Sequence, residues 1–192
     1  MLAVPEETLK KAAAGDMEAF EELYKLSSGY VYSVAYRVNG NPEDAEEVTQ
    51  EVFVKVYRKL GTFSYRSKFS TWLYRVTVNT AINVYRKKAR EKGRKISFDD
   101  GVEVADPKTS GSALRDLEKK DSESLVMSML AILPEEQRAC VILRDIEGLK
   151  YEEVAEAMGT NLNTVRSRLN RARAKLMAAY GKKEDENEVP VR

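Results

Sequence analysis

Apolar side chains in this chain recur at intervals of three and four residues and almost nowhere alternate. That spacing gives helices with one buried face, whereas a half-buried strand needs a period of two. The segment TVRSRLNRARAKL, Thr164 to Leu176, shows it plainly. Wound at about 100° per residue, Thr164 to Tyr180 puts Val165, Leu169, Ala172, Leu176 and Tyr180 on one side. The opposite side carries Ser167, Asn170, Arg171 and Ala174. Arg166 and Arg173 flank it on one edge, Arg168 and Lys175 on the other. The quoted segment has five basic side chains and no acid, although the whole chain has 32 bases and 31 acids. The chain is expected to be all-α, with positive charge concentrated on this helix.

The residues present exclude several chemistries. There is one cysteine, Cys140, and no histidine. An internal disulfide framework, a Cys/His zinc site and Ser-His-Asp or Cys-His catalysis are therefore all excluded. No metal, cofactor or catalytic residue is expected, and the chain does not read as an enzyme. Cys140, within RACVIL, reads as a small buried hydrophobe. No apolar run approaches the roughly 18 residues that span a bilayer, so no membrane insertion is expected. MLAVPEETLKK turns acidic at once and does not read as a signal peptide, which points to a reducing cytoplasm.

Composition divides the chain of 192 residues in two. Residues 97–124 hold eight acids and four bases, punctuated by Gly101, Pro107 and TSGS. This reads as a flexible acidic linker. The expected organisation is two small helical domains, 1–93 and 125–181, joined by a linker at 94–124 and followed by a disordered tail at 182–192.

In the first domain, EETLKKAAAG is a short helix stopped by Gly15. Asp16 caps MEAFEELYKL, and SGYVYSVAYRV follows. Asn41 with Pro42 starts a helix running to Leu60. GTFSYRSK is a loop, and a long helix covers about Ser70 to Arg90. In the second domain YEEVAEAMG is a short amphipathic helix with Val154, Ala155 and Met158 inward. Gly159 ends it, TNL turns, and Asn163 caps the basic helix. Helix, short turn and basic helix make a helix-turn-helix. Small residues opposite the core allow close approach to a major groove. Asn and Arg can read base edges there, while the basic flanks reach phosphates.

Two faces of the first domain need explanation. Ala45, Val52, Phe53, Val56 and Leu60 form the buried side of one helix. Asp44, Glu47, Gln50, Glu51 and Val54 lie on the other, in a stretch with five acids and no base from Asn41 to Glu51. Acids at a helix N-terminus suit the macrodipole. That does not account for Glu51 beside an exposed Val54, which suits docking to a basic partner. On the long helix, Tyr74, Val78, Ala81, Ile82 and Tyr85 form one face. Trp72, Val76, Asn79, Asn83 and Arg86 form the opposite one, before RKKAR. With the aromatic and basic loop residues Phe63, Tyr65, Arg66, Lys68 and Phe69, this face suits unpaired bases. Trp72 fits either core or surface.

DAEEVTQEVFVKVYRKLGTF, FSTWLYRVTVNTAINVYRKKAR and LPEEQRACVILRDIEGLKYEEVAEAMGTNLNTVRSRLNRARAKL together resemble bacterial RNA polymerase sigma factors of the extracytoplasmic-function class. The resemblance spans both domains in order. It implies a promoter-specificity subunit whose first domain docks on a coiled coil of the polymerase largest subunits through Asp44, Glu47, Gln50, Glu51 and Val54. Further core contact, at the flap region, is implied for the whole protein. Asn79 and Asn83 would read the −10 element, helped by Trp72 and Arg86. Ser64, Tyr65, Arg66, Lys68 and Phe69 would pocket a flipped base. Asn163, Thr164, Arg166, Ser167, Asn170 and Arg171 would read the −35 element, and an anti-sigma factor would mask both domains. Lys150 stands where members often have Ser; lysine cannot cap, so that helix is expected to be about 1 kcal/mol weaker. Asn163 stands where members often have Gly. A free-standing helix-turn-helix regulator would explain the second domain but neither face of the first. A recombinase using one of the ten tyrosines or a serine would have no accompanying carboxylate cluster or histidine.

Overall fold

The computed structural model describes residues 2–91 and 122–187, without the side chains of residue 122 and residues 180–187. Most of the acidic linker thus lies outside the described residues. Among the described residues the regular elements are all helical, as the apolar spacing predicts. Helix α1 spans Glu6–Ala13, α2 Met17–Asn39, α3 Pro42–Lys59 and α4 Phe69–Glu91, with a 3-10 turn at Leu60–Thr62 after α3.

The helix starts follow from the capping residues. The Asp16 carboxylate accepts the amides of Glu18 and Ala19 at 2.9 and 3.1 Å. Asn41 accepts the Asp44 amide at 2.8 Å, with Pro42 in the first turn. Gly40 closes α2 at φ 72°, a left-handed turn that glycine adopts without a Cβ penalty. The sequence suggests two segments within α2, but the helix runs unbroken through Gly29. Its stripe of Leu23, Val31, Val34 and Val38 is buried throughout. Burial of each such side chain contributes roughly 1.5–3 kcal/mol, which outweighs the ~1 kcal/mol that glycine costs a helix.

Helices α2, α3 and α4 pack mutually. Val48, Val52 and Val56 of α3 are fully buried, and Leu73, Val78 and Ala81 of α4 close the same core.

The second half comprises α5 (Ser122–Ala131), α6 (Glu135–Val141) running into a π turn at Ile142–Ile146, α7 (Tyr151–Met158) and α8 (Leu162–Asn187). Leu143, Val154, Val165 and Leu169 form its core, and Cys140 is buried among them as expected. Three details differ from expectation. First, α8 is capped by Asn161, whose Oδ1 accepts the Thr164 amide at 2.8 Å. Asn163 lies inside the first turn, because Gly159 turns at φ 61° and leaves only Thr160 and Asn161 between the helices. Second, Lys150 gives α7 no side-chain cap, as expected, but the helix start keeps one bond from the other direction. The Glu153 carboxylate accepts the Lys150 amide at 2.9 Å, which is the half of a capping box that needs no side chain from Lys150. Third, α8 extends to Asn187, into the segment expected to be tail, through a run of Lys and Glu that favours helix.

The two halves pack against each other. Helix α7 rests on α4, and α6 reaches α4 and α2. Arg138, buried in the second half, donates to the carbonyls of Val38 across the seam and Leu133 in its own half, at 2.5 and 3.0 Å. Its guanidinium lies 5.2 Å from the centre of the Tyr85 ring.

Candidate nucleic-acid interface

Helix α4 carries one apolar and one polar face. Tyr74, Val78, Ala81 and Ile82 are buried, while Asn79 and Asn83 are exposed and Trp72 and Arg86 half-buried. Trp72 thus takes both alternatives. One side of its ring packs on Phe63 and Phe69, at centroid distances of 5.4 and 5.8 Å. The rest lines a groove of about 310 Å³ with Lys55, Lys59, Arg75, Val76 and Asn79. Lys59 and Arg75 were not singled out from sequence. The signal was there: Lys55 and Lys59 are one turn apart, and Arg75 lies between Trp72 and Asn79.

The loop before α4 is built on Phe63, whose ring meets Tyr65 at 4.8 Å and Phe69 at 6.0 Å. Ser64, Arg66 and Lys68 are exposed. Tyr65 is 47% exposed. It holds φ 55°, a left-handed conformation that costs a non-glycine residue about 1 kcal/mol or more. Phe69 departs from the expected strand-facing role. It is 7% exposed and sits in the core at the start of α4, where it anchors the loop from below.

The acidic face of α3 is partly tied down. Lys88 of α4 bonds both Asp44 and Glu47, and these hydrogen bonds raise its pKa above the usual lysine value. Glu51 pairs with Lys55 one turn on, at 2.6 Å. Gln50 is exposed, and Val54 is 49% exposed.

On α8, Val165, Leu169 and Ala172 are buried, and Arg166, Ser167, Asn170 and Arg171 are exposed. Asn163 is exposed and Thr164 half-buried. The Ser167 hydroxyl donates back to the Thr164 carbonyl at 2.9 Å. Two of the expected phosphate-reaching flanks have protein partners. Arg173 pairs with Asp145 at 2.7 Å, and Arg168 pairs with Glu136.

Two separate faces, one with Asn beside an aromatic groove and one on a capped helix after a tight turn, match a known pair of regions. Residues 23–91 match the family model Sigma-70 region 2, and residues 123–176 match Sigma-70, region 4. The ECF RNA polymerase sigma factor SigE of Mycolicibacterium smegmatis is 37% identical over 168 residues, covering 85% of this chain and 63% of that protein. The chain belongs to the extracytoplasmic-function class of the sigma-70 family. The RNA polymerase sigma-H factor of Pseudomonas aeruginosa is 34% identical over 175 residues, covering 88% of this sigma factor and 89% of its own length. Among solved structures, CnrH in complex with the cytosolic domain of CnrY superposes with a TM-score of 0.65 at 25% identity, covering 91% of this chain and 96% of that one. The sigma factor RpoE of Bartonella quintana, solved with the anti-sigma factor NepR, shares the fold at a TM-score of 0.62 and 23% identity, over 83% of this chain and 94% of that one. Sigma factors are DNA-recognition subunits and not enzymes.

Proposed function

We propose that this sigma factor, a promoter-specificity subunit of bacterial RNA polymerase, divides its work among three helix faces. Helix α3 docks on the core enzyme with Gln50, Glu51 and Val54 outermost, and Asp44 and Glu47 beside them. Helix α4 and the loop before it recognise the −10 element and hold it open. Helix α8 lies in the major groove at −35. The domain limits that go with this reading are 1–93 and 125–181.

The observation that carries the reading is the exposure of Asn79 and Asn83 on one helix, with Asn79 in the groove lined by the half-buried Trp72. Asn side chains can hydrogen-bond unpaired base edges, and an indole face stacks on a base for about 1–3 kcal/mol. Opening the duplex costs a few kcal/mol per unstacked step, and capture of the freed bases offsets it. On α8, Asn170 and Arg171 reach base edges while Arg166 contacts phosphate and Thr164 and Ser167 allow close approach. With Phe69 in the core, the pocket for a flipped base is left to Ser64, Tyr65, Arg66 and Lys68.

Among the described residues no helix is long and apolar enough to cross a membrane, and the reading puts the protein in the cytoplasm beside its polymerase. CnrH is held by a cytosolic domain and the Bartonella factor by an anti-sigma protein. An anti-sigma partner is proposed here on that likeness. Mapping transcription starts from a promoter library, with core polymerase alone and with the protein added, tests the function. New discrete starts sharing −35 and −10 sequences are expected; initiation no more selective than with core alone would refute it.

A further inference from the structure

The carboxylate of Glu136 bonds a cation from each of the two DNA-reading helices. It accepts from Arg86 of α4 at 2.6 Å, and it accepts from Arg168 of α8. Glu135 adds a second bond to Arg86 at 2.9 Å and is itself only 3% exposed. Burial opposes the Arg86 charge, but the two carboxylates outweigh it and raise its pKa. Nearby, Lys68 of the loop pairs with Glu153 of α7 at 2.7 Å, and Arg37 of α2 pairs with Glu147 at 3.3 Å. These four acids all come from the second half, and Arg37, Lys68 and Arg86 all come from the first. Asn79, Asn83 and Arg86 then line a cleft of about 300 Å³ whose other wall is Glu136, Met158 and Gly159.

From this we propose that the second half is a built-in competitor for the −10 face, and that Glu135 and Glu136 are the latch. The inference rests on the assignment of α4 to the −10 strand. A nucleic-acid strand brings phosphates to Arg86 and Lys68, but these cations already have carboxylate partners. Glu135 and Glu136 would also repel an approaching phosphate. Strand and second half therefore exclude each other, and the free protein binds single strands weakly until its halves part. The apparent affinity for a strand is the intrinsic affinity reduced by the fraction of open molecules.

The test compares two full-length variants that remove equal charge. Glu135→Gln/Glu136→Gln breaks the latch. Glu152→Gln/Glu156→Gln alters exposed acids on the adjacent helix. Each is measured by small-angle scattering and by fluorescence anisotropy with a labelled 12-nucleotide random-sequence single strand. The latch variant is expected to show a larger radius of gyration and about tenfold tighter strand binding, as a shift from roughly one molecule in ten open to mostly open requires. The control should match the parent in radius and gain far less affinity. An unchanged radius in the latch variant, or equal affinity gains in both variants, overturns the latch and leaves the −10 assignment standing. Expansion without any gain in affinity overturns the masking and counts against the −10 assignment itself.

Discussion

The hydroxyl of Tyr74 donates to the carboxylate of Glu147 at 2.6 Å, joining α4 to the turn that follows the π segment. Burial pushes the tyrosine pKa well up, and the bond to Glu147 adds to it, so Tyr74 stays a donor. The π segment is what presents Glu147. The Glu147 amide closes a wide turn onto the Ile142 carbonyl at 2.9 Å, which swings the carboxylate toward α4 and Arg37. Tyr74→Phe keeps the ring and removes one hydrogen bond to a charged acceptor. A loss of about 1–3 kcal/mol is expected, read as a lower urea midpoint. An unchanged midpoint would mean that Glu147 finds an equal partner elsewhere.

The turn before α8 makes opposite predictions for two asparagines. Asn161→Ala removes the cap and should cost about 1 kcal/mol. Asn163→Ala leaves the cap in place, so thermal unfolding should hardly change, while binding to duplex −35 DNA weakens. If Asn163→Ala were the more destabilising, the helix would start where the sequence alone suggests.

Glu153 has its pKa held below the usual value by the Lys68 ammonium and then by the Lys150 amide, against a smaller opposing effect of burial. A lowered folded-state value means that the carboxylate stabilises the fold fully above its ordinary pKa of 4.5 and progressively less as pH falls through the folded value. Acid unfolding of Glu153→Gln should therefore show a shallower dependence on pH below 4.5 than the parent. Parallel acid curves would show that the pairing adds nothing to stability.

Arg171 projects from the exposed side of α8, opposite Val165 and Leu169. Arg171→Ala should weaken binding to an intact −35 site by about 1–3 kcal/mol and have much less effect on a scrambled one. Equal losses on both would reduce Arg171 to a phosphate contact.

Much of this was legible in the residues. Ala45, Val52 and Val56 are buried as their spacing requires, and Asp16 and Asn41 cap where short polar side chains precede an apolar run. Local rules suffice there because partner atoms lie within one or two turns. The rest depends on distant pairings. Nothing local shows that Phe69 turns inward to Phe63 and Trp72, or that Lys88 neutralises Asp44 and Glu47 from another helix. Arg138 looks like a surface base on α6, yet it is buried to hold the Val38 carbonyl 100 residues away. Two domains read from a composition break gave no sign that Glu135, Glu136 and Glu153 would close over the α4 face.

Whether that face holds an opened strand is tested most directly by Asn79→Ala, assayed with core polymerase at one promoter taken from the start-site map. Permanganate reactivity of unpaired −10 thymines reports opening, and nuclease footprinting reports closed-complex binding. Captured bases exist only after opening, so thymine reactivity should fall several-fold while the closed-complex footprint is nearly unchanged. Equal loss of both signals, or full thymine reactivity in the variant, would contradict strand capture by α4.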